Sequence, residues 1–159
     1  MSGFLFLIAS LLLGFACGLR GFTPLALTCW LAVWGWMPLG GTRLAFLGTT
    51  VGAVVVTLLA IGELIGDKLP VTPARTTAFP LSARIITGAL SVAGMSIGAG
   101  QSWIVGILCG AVGAVVGAFA GFRLRRFFTT QWGVRDWIVA VAEDIVTVAL
   151  SLGVFALVF

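Results

Sequence analysis

The chain has 159 residues and a formal charge of +4, with 60% hydrophobic and only 9% charged residues. Soluble domains carry about 25% charged residues, so so few charges exclude an ordinary water-facing surface and point to lipid as the solvent. The basic residues lie between apolar runs, not on a stripe interleaved with aromatics, which favours the positive-inside pattern over nucleic acid as a partner.

In chain order, the first apolar run covers residues 3–19 and ends at Arg20. No positive segment precedes it, and Gly14-Phe15-Ala16-Cys17 is a poor lipoprotein cleavage motif. A retained first helix is therefore expected. The second run, residues 22–37, is bracketed by Pro24 and Pro38. It is short for a span, which needs about 17 to 25 residues, and reads as a tilted span, a re-entrant half-helix or one arm of a broken helix. The third run covers residues 44–66 and stops at Asp67-Lys68-Leu69-Pro70. A polar connection from Pro70 to Pro80 carries Arg75 and leads into Ser82-Ala83-Arg84. Hydroxyls, an arginine and a helix start together suggest an anion site or an ordered basic loop. The fourth, fifth and sixth runs cover residues 83–100, 103–122 and 137–159.

These runs are long and continuously apolar, unlike the alternating strands of a barrel. The expected fold is all-α: a polytopic transmembrane helical bundle of six segments, in a single domain over residues 1–159. With six crossings, Arg20, then Lys68, Arg75 and Arg84, then Arg123, Arg125, Arg126 and Arg135 share one side, and Arg43 lies on the other. That bias predicts cytoplasmic basic connections and both termini outside.

Small residues recur at helical spacing, with Gly14 and Gly18, Gly94 and Gly98, and Gly113, Gly117 and Gly121 each four apart. Such ridges let helix backbones approach closely in lipid, within one bundle, across a homodimer or along a pore. A shift of 80 residues superposes Gly14 on Gly94, Cys29 on Cys109, Arg43 on Arg123 and Glu63 on Glu143. It suggests half-repeats 1–80 and 81–159, arranged as a 3+3 inverted repeat of the kind found in secondary transporters.

Chemistry is sought among the acids, because charge within an apolar segment is costly and faces the bundle interior or a wet cavity. Glu63 and Asp67 are four apart, on one helical face. Glu143 and Asp144 lie about two turns into the sixth run. These carboxylates could bind a cation or carry protons, with Arg20, Arg84 and Arg123 as partners or substrate contacts. The alternative is that the same arginines neutralise them and lock the bundle. Lys68 and Arg75 are the candidate loop residues.

Histidine is absent, and Cys17, Cys29 and Cys109 have no metal or redox spacing. No phosphate loop or nucleophile elbow occurs, so neither an enzyme nor a cofactor is expected. The leading expectation is a transporter or channel for an ion or small polar solute. A structural or assembly protein, and one that handles lipid headgroups, are the alternatives.

The runs Gly18-Leu19-Arg20-Gly21-Phe22-Thr23-Pro24-Leu25, Glu63-Leu64-Ile65-Gly66-Asp67-Lys68-Leu69-Pro70, Thr72-Pro73-Ala74-Arg75-Thr76, Ala83-Arg84-Ile85 and Ala142-Glu143-Asp144 resemble the bacterial membrane family called domain of unknown function 4126. The resemblance covers nearly the whole chain, and Glu-x-x-x-Asp-Lys-x-Pro is its most specific element. It implies a bacterial inner membrane protein and brings no activity with it.

Overall fold

Each apolar run becomes a helix whose ends follow local chemistry. The computed structural model describes residues 2–67 and 76–159. Its helices are α1 (Gly3–Leu19), α2 (Phe22–Val33), α3 (Thr50–Gly66), α4 (Ala78–Gly98), α5 (Trp103–Gln131) and α6 (Asp136–Val158), with a 3-10 turn at Ala45–Gly48. Thr49 caps α3, its Oγ1 accepting from the Gly52 N–H at 3.0 Å. Pro24 and Pro80 sit in the first turns of α2 and α4, where a missing N–H leaves no helical bond unmade. Just past the end of α4, Gly100 has a φ of +66°, which only glycine adopts without strain. The reversal is closed by Gln101 N–H donating to the Ser96 carbonyl at 2.7 Å.

Several boundaries depart from the apolar runs: α3 starts at Thr50, six residues into its run and after the 3-10 turn, and α4 starts at Ala78, five residues before its own. α5 extends past residue 122 to Gln131, because arginine, leucine and phenylalanine remain acceptable in a helix once hydropathy falls. α2 stops at Val33 after 12 residues. In the irregular chain that follows, Met37, Leu39 and Leu47 are buried in the bundle, whereas Trp34, Gly35, Trp36, Gly40 and Gly41 are exposed.

The helices run alternately up and down. Gly14 lies against Gly110 and Gly18 against Gly117, so α1 and α5 are parallel. Gly88 meets Gly110 while Gly106 meets Val92 and Ser96, so α4 runs against α5. Phe22 meets Glu63 and Trp30 meets Thr57, so α3 runs against α2. Asp144 near the start of α6 reaches Arg20, and Phe159 at its end reaches Gly98. α1 is central, packed by α5, α4, α6 and α2, whereas α3 packs mainly on α2 and the 3-10 turn.

Glycine makes the α1–α5–α4 contact. A Cβ at Gly14 would lie 2.7 Å from the Gly110 carbonyl oxygen, and one at Gly113 would lie 2.5 Å from that of Leu11. These ridges are filled from within the chain, so they are not the contact face of the expected homodimer. Cys17 and Cys29 are buried and Cys109 half-buried, all three as free thiols.

α4, α5 and α6 are long and apolar enough to cross a membrane, at 21, 29 and 23 residues, while α1, α2 and α3 are shorter apolar helices. Exposed leucine, isoleucine, valine and phenylalanine cover the bundle exterior, a surface suited to lipid. Tryptophans mark both ends: Trp34, Trp36 and Trp103 at one, Trp132 and Trp137 at the other, all exposed. From Trp103 to Trp132 is about 43 Å at 1.5 Å per residue, close to the ~40–45 Å of a bilayer with its headgroups. Such aromatic belts occur where membrane meets water.

The 80-residue register does not carry into the architecture. α2 has 12 residues and its supposed counterpart α5 has 29. Inversion would also place Glu63 and Glu143 at opposite ends, yet both lie at the Arg20 end. The superposed residues are matches between apolar sequences of similar composition, not equivalent positions.

A charged cluster where α1 breaks into α2

α1 stops at Leu19 and α2 starts at Phe22. The two-residue break leaves carbonyls at one helix end and amides at the next without helical partners. Arg84, from the second turn of α4, donates through Nη1 to the Gly18 and Leu19 carbonyls at 2.8 and 2.5 Å. Glu63, from the last turn of α3, accepts from the Gly21 and Phe22 N–H groups, both at 2.9 Å. A cation thus meets a helix C-terminus and an anion a helix N-terminus, the favourable sense for both dipoles. The two side chains then pair with each other, Arg84 Nη2 lying 3.0 Å from Glu63 Oε1.

Arg20 occupies the break itself and is the largest completely buried side chain. Its Nη1 pairs with Asp67 Oδ2, its Nε lies 2.5 Å from Asp144 Oδ1, and its Nη2 reaches the Ala140 carbonyl at 3.5 Å. Asp67 also faces Arg84 Nη2, at 3.8 Å. The cluster therefore joins α3, α4, α6 and the α1–α2 break through charge pairs and hydrogen bonds to backbone. The side chains of Glu63, Asp67 and Asp144 are 12%, 10% and 21% exposed, so screening by water is weak.

Of the residues expected at the site, Glu63, Asp67, Asp144, Arg20 and Arg84 come together. Glu143 turns to the other side of α6 and lines a cavity of about 180 Å³ with Leu19, Arg125 and Phe128. Consecutive residues project about 100° apart on a helix, so Glu143 and its neighbour Asp144 face different partners. Arg123 is exposed and stands away from the acids. Lys68 and Arg75 lie outside the described residues.

Arg125 takes the inward place expected of Arg123. It grips Asp136 through Nε and Nη2, at 2.7 and 2.5 Å, and its Nη2 also donates to the Asp67 carbonyl at 3.3 Å. The signal was present in Arg123-x-Arg125-Arg126. Residues two apart point about 200° apart, so only one of the first two could face the bundle.

A groove of about 430 Å³ opens between α3 and α4 onto the cluster. Leu58, Leu59, Phe79 and Pro80 form its walls, and Glu63, Asp67 and Arg84 lie at its base. Among the described residues, no group of three or more histidine, cysteine or acidic side chains could hold a metal ion. As the site stands, arginine nitrogens occupy the places a cation would take beside these carboxylates.

Comparison with curated proteins and with solved structures returns no match. The family model described as Domain of unknown function (DUF4126) matches residues 7–158. The match takes in all of α2 to α6, most of α1 and every residue of the charged cluster, and the chain belongs to that family.

Proposed function

We propose that this protein is a small membrane transporter or channel for an ion or small polar solute. Glu63, Asp67 and Asp144 are its binding carboxylates, and Arg20 and Arg84 hold the site closed when substrate is absent. The observation that carries this reading is a cluster of three acids and two arginines, nearly dry, that joins separate helices within an apolar bundle. Charge pairs of this kind are poor devices for stability alone, because removing ions from water costs as much as their attraction returns. α3 supports a gating role, since it carries two of the acids, packs mainly on α2 and borders the groove that leads to them. A cation entering that groove competes with Arg84 for Glu63 and loosens α3 from α4.

In this reading the protein lies in a bacterial inner membrane with six crossings, cytoplasmic basic connections and no enzymatic activity. The test is cation flux into vesicles containing purified protein, followed with proton-, potassium- and manganese-sensitive dyes. Glu63→Gln and Asp144→Asn should each lower flux of the transported ion at least tenfold while the protein stays folded. Wild-type flux in both variants would remove the carboxylates from any transport role.

A second reading, a structural or assembly protein, is favoured by the pairing of every charge in the cluster. It predicts that the same variants melt earlier and that no protein-dependent flux exists to lose.

A further inference from the structure

α5 carries Arg123 and Arg126 on its outward face, one turn apart and both exposed. Neither has an ion-pair partner among the described residues, in contrast to Arg125 between them in sequence. They border a cavity of about 450 Å³ to which Thr76, Thr130 and Gln131 also contribute, and no acid lines it among the described residues. Its other walls are aromatic, with Phe119 and Phe122 on the side toward the middle of α5.

Depth gives this pocket its meaning. Trp132 marks the membrane boundary at this end of α5, beside Phe127 and Phe128 in an aromatic cluster with ring centroids 5.3 to 6.0 Å apart. Arg126 and Arg123 lie six and nine residues before it, roughly 9 and 13 Å toward the membrane centre. An outward-facing guanidinium at that depth meets the headgroup and upper acyl region, where water is scarce and an unpaired cation is costly. A guanidinium matches phosphate oxygens in shape as well as charge, and the phenylalanines below offer an apolar bed for acyl chains.

We infer that Arg123 and Arg126 form a binding site for the phosphodiester headgroup of an anionic phospholipid, with its acyl chains lying along Phe119 and Phe122. The site lies apart from the carboxylate cluster. It rests on the chain being a membrane protein and not on the transport reading, so loss of flux and loss of lipid binding are separate results.

Phosphatidylglycerol is titrated into the full-length protein, stripped of lipid in neutral detergent, and complexes are counted by native mass spectrometry. Each basic residue near a membrane surface contributes about 1 kcal/mol to holding anionic lipid, so Arg123→Gln/Arg126→Gln should bind about 30-fold more weakly. Arg135→Gln, at an exposed basic residue outside the pocket, should bind as wild type does. Arg126→Gln alone, expected about fivefold weaker by the same arithmetic, replaces the double variant should that fail to fold. Unchanged affinity in the pocket variant overturns the site, as does an equal loss in Arg135→Gln. Phosphatidylcholine binding as tightly as phosphatidylglycerol also overturns it. Inorganic phosphate displacing no lipid fits the proposal, whereas phosphate binding as tightly as the lipid would assign the pocket to a free anion.

Discussion

At the scale of single residues, charge inside this bundle is placed by what it neutralises. Glu63 serves two backbone amides and one guanidinium at once. Glu63→Ala leaves all three without that partner, and breaking a buried pair from one side costs about 3–5 kcal/mol. Glu63→Gln keeps an oxygen for one amide but loses the charge and the second acceptor, so it should cost less than Glu63→Ala. Thermal unfolding in detergent should therefore rank wild type above Glu63→Gln above Glu63→Ala. Equal melting of all three would show that the contacts carry no stability. The acids were visible as anomalies in an apolar sequence, but their partners were not. The Arg20–Asp67 and Arg84–Gly18 contacts span 47 and 66 residues, and nothing local to either end specifies the other.

At the scale of helices, glycine spacing stated that close packing occurs somewhere, and the structure shows where. A Cβ at Gly117 would lie 3.0 Å from the Gly18 Cα and 3.0 Å from the Phe15 carbonyl carbon. Both are backbone atoms, so neither can turn aside. Gly117→Val should therefore lower stability by about 1–3 kcal/mol or more, as overpacking does in tight cores. Gly153, with nothing within 4 Å of its missing Cβ, provides the contrast. Gly153→Ala should be neutral or stabilising by up to about 1 kcal/mol, through helix propensity alone. Side-by-side melting curves check the pair, and equal losses would refute the packing assignment. The glycine ridge of α5 was legible in the sequence. Its occupant, α1 of the same chain, was not, because a small-residue stripe fits any helix of matching shape.

At the scale of the whole molecule, the alternating helices put all five acids at one end, while Arg43 sits at the other, over the Trp103 ring at 5.6 Å. On the proposed topology, with the arginine-rich end in the cytoplasm, the Gln101 and Gly133 turns face opposite sides. In a Cys109→Ser background, Gln101→Cys should react with an impermeant thiol reagent added to intact cells, and Gly133→Cys only after lysis. The reverse pattern would invert the topology, and equal labelling would mean that α5 does not span. This prediction depends on charge bias and helix direction together, since either alone leaves the orientation open.

Composition and hydropathy by themselves determined the solvent, the all-helical class, the approximate place of each helix and the small set of acids worth attention. Those are one-dimensional properties: a residue's cost in lipid depends on its own side chain and its near neighbours. The tertiary structure alone decided that Arg125, not Arg123, turns inward, that Glu143 parts from Asp144, and that α2 stops at Val33 with only Met37 and Leu39 of the next residues buried. It also decided that residues 80 apart do not occupy equivalent positions. Each of these depends on the rotation of one helix against another. That rotation is set by the summed packing of whole faces, with glycine against backbone and arginine against the open ends of α1 and α2, and no short stretch of sequence contains it.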